Sequence, residues 1–197
     1  MALLVSSRLT FYVRVIAFQG VILSFLPVLA HDRLTLRVLL LAVGTLVIKG
    51  FVFPHLVSKV IRDVNVRREV EPFIGYGMSM LVGLLALLLS LWISARLPLP
   101  THLASSLIVP VSFFTIQMGL FLIISRRKAI TQVLGYIVLE NGIFAFGAAL
   151  VPEAPLVVEL GVLLDIFVAV FVMGITIFHI NQEFDHIDAD QLSTLKD

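Results

Sequence analysis

The sequence contains no cysteine. Disulfides, thiolate metal ligands, iron–sulfur ligation and a cysteine nucleophile are excluded together, so any redox centre serving this chain is expected in a partner. Charge is scarce as well. Only 14% of the 197 residues are Asp, Glu, Lys or Arg, where soluble domains carry about 25%. The 14 basic and 13 acidic residues nearly cancel, to a formal net charge of +1, so the distribution of charge carries more information than its sum. A glycine-rich phosphate loop, paired histidines at helical metal spacing and a serine elbow are also missing, and with them the usual enzyme constellations. No cofactor or metal is expected, and the chain reads as non-catalytic. Nucleic acid is not an expected partner, because the basic residues are taken up by lipid headgroups.

What the sequence does have is apolar length. Hydrophobic residues make up 59% of the chain, with 15 Phe among them. They recur in blocks of about 20 residues, the length at which a helix rising 1.5 Å per residue crosses a hydrocarbon core of about 30 Å. Six candidate spans follow, at roughly 11–30, 35–57, 73–95, 103–124, 130–150 and 156–179. All should be helices, because a backbone in lipid must satisfy its own polar groups and these blocks lack the alternation of a membrane barrel. The expected fold is an all-α integral membrane protein, a bundle of about six transmembrane helices. The first apolar run is long enough to span and lacks a small-x-small cleavage site, so an uncleaved helix is expected there rather than a signal peptide.

The connectors are short except for residues 58–72, whose mixed charges favour a solvated helical extension closed at Pro72. The polar tail from Asn181 to Asp197 is expected to be peripheral. With six spans, one side of the membrane holds Arg8, Lys59, Arg62, Arg67, Arg68, Arg126, Arg127, Lys128 and Lys196, whereas the other holds only Arg33, Arg37 and Arg96. The positive-inside rule then places both termini in the cytoplasm, in an inner (plasma) membrane. In the third span, Gly75, Ser79 and Gly83 set small side chains along one stripe, where another helix can approach closely. Pro110 is expected to kink the fourth span.

Ionisable groups deep in a span are the most informative residues, since each costs about 2.5–3.5 kcal/mol near the bilayer centre on insertion scales. Glu140 lies near the middle of span five, with Tyr136 one turn earlier on the same face and Asn141 adjacent. It is either a carboxyl hydrogen-bonded within a bundle for packing alone or, as intramembrane acids commonly are, part of an ion path. Asp165 is the second deep acid, in span six, where it either continues a relay from Glu140 or pairs with a neighbouring subunit. Lys49 falls some two-thirds along span two. Two readings stay open for it: a snorkelling anchor or a buried lysine of a proton path. His55, at a span end, ranks below the acids.

Three stretches resemble a known family: EPFIGYGMSMLVG at residues 71–83, the VLGYIVLENG segment around Glu140, and the ending FDHIDADQLSTLKD. Over most of its length the chain resembles hydrogenase-4 component E, a membrane subunit of formate hydrogenlyase-type and related energy-converting hydrogenase complexes. From about residue 101 onward it is also similar to the three-helix K subunit of respiratory complex I and the C subunit of multisubunit cation/proton antiporters. In the K subunit a basic cytoplasmic loop precedes a helix with a mid-membrane Glu, and the next helix carries another acid. Here Arg126, Arg127 and Lys128 precede Glu140, and Asp165 stands where the family commonly has Glu, shorter by one methylene. The resemblance implies a division into an N-terminal three-helix segment, 1–100, and a K-subunit-like segment, 101–197. It further implies a non-catalytic subunit lying between antiporter-like membrane subunits and a hydrogenase or related oxidoreductase module, with Glu140 and Asp165 as proton-relay carboxyls and Lys49, Tyr136 and His55 as possible contributors. A purely structural subunit and a small standalone transporter are the competing readings.

Overall fold

The computed structural model describes residues 9–30, 35–63, 74–97, 107–126 and 129–150, together with Gly161 and Gly174. Each apolar block within them is helical, and no strand occurs among the described residues. Helix α1 (Leu9–Ser24) continues into the short α2 (Leu26–Ala30). Helix α3 (Leu36–Thr45), a π-helical segment (Leu46–Val52) and α4 (Phe53–Asp63) follow one another without a break, then α5 (Tyr76–Arg96), α6 (Ile108–Ser125) and α7 (Ala129–Leu150). Five stretches are long and apolar enough to cross a membrane: Leu9–Leu29, Val38–Arg62, Gly77–Arg96, Ile108–Ser125 and Ile130–Ala148. The protein is an all-α, multi-pass membrane protein. Apart from Gly161 and Gly174 the expected sixth span, 156–179, and with it Asp165, lies outside the described residues, as do the Arg127-Lys128 pair and most of the 58–72 connector.

The second span differs from its sequence reading in a way that matters below. It runs on to Arg62, because the amphipathic α4 continues the same helix through Lys59 and Arg62, which a hydropathy reading ends early. Lys49 therefore sits near the middle of the span, not two-thirds along it. The π-helical segment just before Pro54 has a local cause. Proline has no N–H and its ring conflicts with the carbonyl four residues back, here Gly50. The backbone widens instead, and the Phe53 N–H bonds to Ile48 O, five residues earlier. Pro110 has a milder effect than the expected kink. The described helix α6 begins at Ile108, which puts Pro110 in the first turn, where its missing N–H is not needed.

The core lies toward one end of the bundle. Leu9, Tyr12 and Ile16 of α1 meet Val57, Val60 and Ile61 of α4, Met118 and Leu122 of α6, and Ile130, Leu134 and Ile137 of α7. Because successive spans run in opposite directions, the start of α1, the end of α4, the end of α6 and the start of α7 share that end. Among the described helices the most extensive pairing is α6 with α7. It depends on glycine: a Cβ on Gly142 would lie 2.8 Å from the Ile116 backbone nitrogen, and one on Gly119 would collide with the backbone of Leu139. Helix α5 packs chiefly on α6 through a stripe of small residues, Ser79, Gly83, Ala86, Ser90 and Ser94. The expected stripe is thus real and longer than foreseen, although Gly75 itself caps the helix and is exposed.

Candidate functional site

At the inner edge of this core, about halfway along three spans, the structure gathers a polar group. Lys49 from the π-helical segment, Glu140 and Asn141 from α7, and Gln19 from α1 converge there. The Lys49 ammonium forms an ion pair with Glu140 Oε1 and donates to Asn141 Oδ1 at 3.3 Å. Asn141 Nδ2 in turn donates to Gln19 Oε1 at 3.5 Å. Lys49, Glu140 and Asn141 are 2%, 1% and 1% exposed, which rules out the snorkelling reading of Lys49.

Helix geometry explains why these residues meet. Tyr136, Glu140 and Phe144 follow at four-residue spacing and so share one face of α7; the Lys49 ammonium also lies 5.3 Å from the centre of the Phe144 ring, a cation–π contact. On the other helix, Lys49, Phe53 and Val57 are buried at the same spacing. The approach of α1 to the lysine needs Gly20, where a Cβ would lie 2.7 Å from the Lys49 carbonyl oxygen. A β-carbon there would push Gln19 and the whole first span away from the group. Asn141 is held from both sides. Because its amide nitrogen donates to Gln19, its oxygen is the atom turned toward Lys49, and this fixes an orientation that the amide alone leaves open.

A lone carboxylate or ammonium at mid-membrane depth is strongly disfavoured, whereas a close opposite charge with added hydrogen bonds offsets much of that penalty. The sequence reading sought Glu140's partners on its own helix, in Tyr136 and Asn141. Its ion-pair partner instead comes from span two. Gln19 was missed altogether. The available signal was an uncharged but strongly polar side chain near the middle of the first apolar run. Tyr136 is partly buried against the core. His55 is exposed on α4, away from the buried side on which Lys49 lies, and does not join the group. Among the described residues no cluster of three or more His, Cys, Asp or Glu could hold a metal ion. Arg126, counted as a headgroup contact, is fully buried at the end of α6, where its carbonyl accepts from Gln132 Nε2 at 3.0 Å.

The chain is 28% identical to hydrogenase-4 component E of Escherichia coli over 162 residues, 81% of this chain and 74% of that protein. The Shigella flexneri protein of the same name matches to the same extent. An uncharacterized protein of Mycobacterium tuberculosis is 29% identical over 187 residues, 94% of this chain and 85% of its own length. No family profile matches the chain, and no solved structure matches it. The resemblance read from the sequence therefore holds: the chain is a relative of hydrogenase-4 component E.

Proposed function

We propose that this chain is a non-catalytic membrane subunit of an energy-converting hydrogenase or complex I-like assembly, and that Glu140 is a carboxylate on its proton-translocation path. The observation that carries this reading is the Lys49–Glu140 pair, buried near mid-membrane and tied to Asn141 and Gln19. Such a pair can move a proton without leaving a net charge in lipid. Transfer from the ammonium to the carboxylate turns a charged pair into a neutral one, and the reverse step restores it. Ionisable residues inside a membrane pair in this way where an ion pathway runs. Asp165 is the second carboxylate of the path and Tyr136 a polar group one turn from the first.

The partners are antiporter-like membrane subunits and a hydrogenase or related oxidoreductase module. Both termini face the cytoplasm, and residues 1–100 and 101–197 are two three-helix segments. In this arrangement the Lys49–Glu140 pair bridges the two segments, so that the second half's carboxylate is controlled by a charge from the first.

The test is Glu140→Gln, which keeps the shape and hydrogen bonding of the side chain while removing its titration. Affinity purification from native membranes followed by mass spectrometry reports assembly, and a proton-pumping assay on the same vesicles reports coupling. Assembly should persist while pumping falls to background. If pumping is unchanged, the buried pair only locks helices together and the subunit is structural.

A further inference from the structure

We infer that Lys49 is a selectivity element: its ammonium fills, as a tethered cation, a midplane site that would otherwise take an alkali metal ion. The inference rests on the proton-path reading above and deepens it with a physical reason for the exclusion of sodium.

The oxygens around the ammonium are those a hard cation uses. Glu140 supplies a carboxylate and Asn141 an amide oxygen at 3.3 Å, and carboxylate and amide oxygens are the standard ligands of hard metal ions. Gln19 keeps the Asn141 oxygen facing inward by accepting from its nitrogen at 3.5 Å. The Phe144 ring also lies 5.3 Å from the ammonium. A ring face attracts a cation but provides no coordinating oxygen. A free sodium ion entering this group would meet the ammonium as a like charge at close range, where the low dielectric amplifies repulsion. It would also compete for the same carboxylate oxygen. A proton needs no separate site, since it is carried as a covalent bond, either on the lysine amine, making the ammonium, or on the carboxylate, making the neutral acid. Proton selectivity is therefore set by a covalently attached charge rather than by pore width.

Lys49→Ala removes the ammonium and opens its space, leaving Glu140 and Asn141 in place. Thermal unfolding of the purified full-length chain in mild detergent is followed in sodium chloride and in choline chloride of equal concentration. For the wild type and Lys49→Arg, the melting temperature should be the same in both salts. In Lys49→Ala it should rise with the logarithm of sodium concentration, as for a ligand that binds only the folded state, and Lys49→Ala/Glu140→Gln should lose that response. Sodium-dependent stabilisation of the wild type overturns the inference, as does a folded Lys49→Ala indifferent to sodium. If Lys49→Ala does not accumulate in either salt, binding of radioactive sodium to wild-type membranes decides. Uptake abolished by Glu140→Gln overturns the inference, and no Glu140-dependent uptake upholds it. Failure of the ion-path reading itself would be seen separately, as normal pumping by Glu140→Gln. Sodium-dependent stabilisation of a wild type that still pumps protons would sink this inference and leave that path intact.

Discussion

Helices α5 and α7 are both long, apolar and expected to span, yet they are built for opposite surroundings. Helix α7 is the most buried of the five spans and α5 is among the least. The more polar of the two is the one inside. Helix α7 carries Glu140, Asn141, Thr131 and Gln132, and its Gly135 and Gly142 sit against α6; α5 presents Met78, Met80, Leu84, Leu85, Leu88 and Trp92 outward and, among its described side chains, buries only serines, Gly83 and Ala86. In water the apolar face turns inward. In lipid the rule reverses, because hydrocarbon is as good a solvent for leucine as the protein interior is, and what seeks the interior is the polar side chain or the small one that permits close packing.

The sharpest way to break this contrast is at the charge pair. Removing one partner of a buried ion pair costs about 3–5 kcal/mol, because the other charge is left uncompensated. Lys49→Met and Glu140→Gln should each lower the unfolding midpoint in detergent by a corresponding amount, and the double variant should recover most of the loss. Additive losses would show that the two side chains are not coupled. A smaller effect separates the glycines. Gly142→Ala on α7 places a methyl against Ile116 of α6 and should cost about 1–3 kcal/mol by overpacking. Gly77→Ala on α5, where nothing lies within 4 Å of an added Cβ, should stabilise by about 0.4–1 kcal/mol. The same unfolding assay reads both, and equal effects would mean that α5 is as closely packed as α7. The least change is expected within α5 itself. Ser90→Ala removes the 3.0 Å bond from Gln117 Nε2 and should cost about 0.6 kcal/mol, the average for interhelical hydrogen bonds in a bilayer. For the outward Leu85→Ala the change should stay within about 0.5 kcal/mol. A markedly larger loss at Leu85 in native membranes than in detergent would show that this face is covered by a protein partner rather than lipid.

Much of the fold was legible because a membrane span is a local property. Whether some 20 residues are apolar enough to cross can be read without knowing their neighbours, and the five described spans fall where the hydrophobic blocks do. The ends were harder. Hydropathy stops the second span before Lys59, but the backbone follows its hydrogen bonds through Lys59 to Asp63, and that difference moved Lys49 from two-thirds along the span to its centre. The small-residue stripe on the third span was visible from its spacing. Its extension through Ser90 and Ser94 was not, since isolated serines in a leucine-rich run mark a buried face only once a helix is seen against them.

The site was half legible. An acid in mid-span stands out in any hydropathy reading, so Glu140 could be found, and with it Asn141 next door. That Glu140 pairs with Lys49, 91 residues away, depends on two features no local pattern discloses: the rotation of each helix about its axis, and the widened turn before Pro54 that sets the phase of Lys49. Gln19 was hidden for the same reason, since its meaning comes from the amide it holds.

The sequence by itself determined that the chain lives in lipid, which described segments are apolar enough to cross it, and that uncompensated polarity at mid-depth would need an answer, because each of these follows from the transfer energy of one segment at a time. Only the tertiary structure decided which charge answers which and which glycines let the helices close enough to do it. Those are properties of pairs of surfaces, and in a bilayer the backbone hydrogen bonds are satisfied within each helix, so the choice of partner is left to side-chain shape and charge.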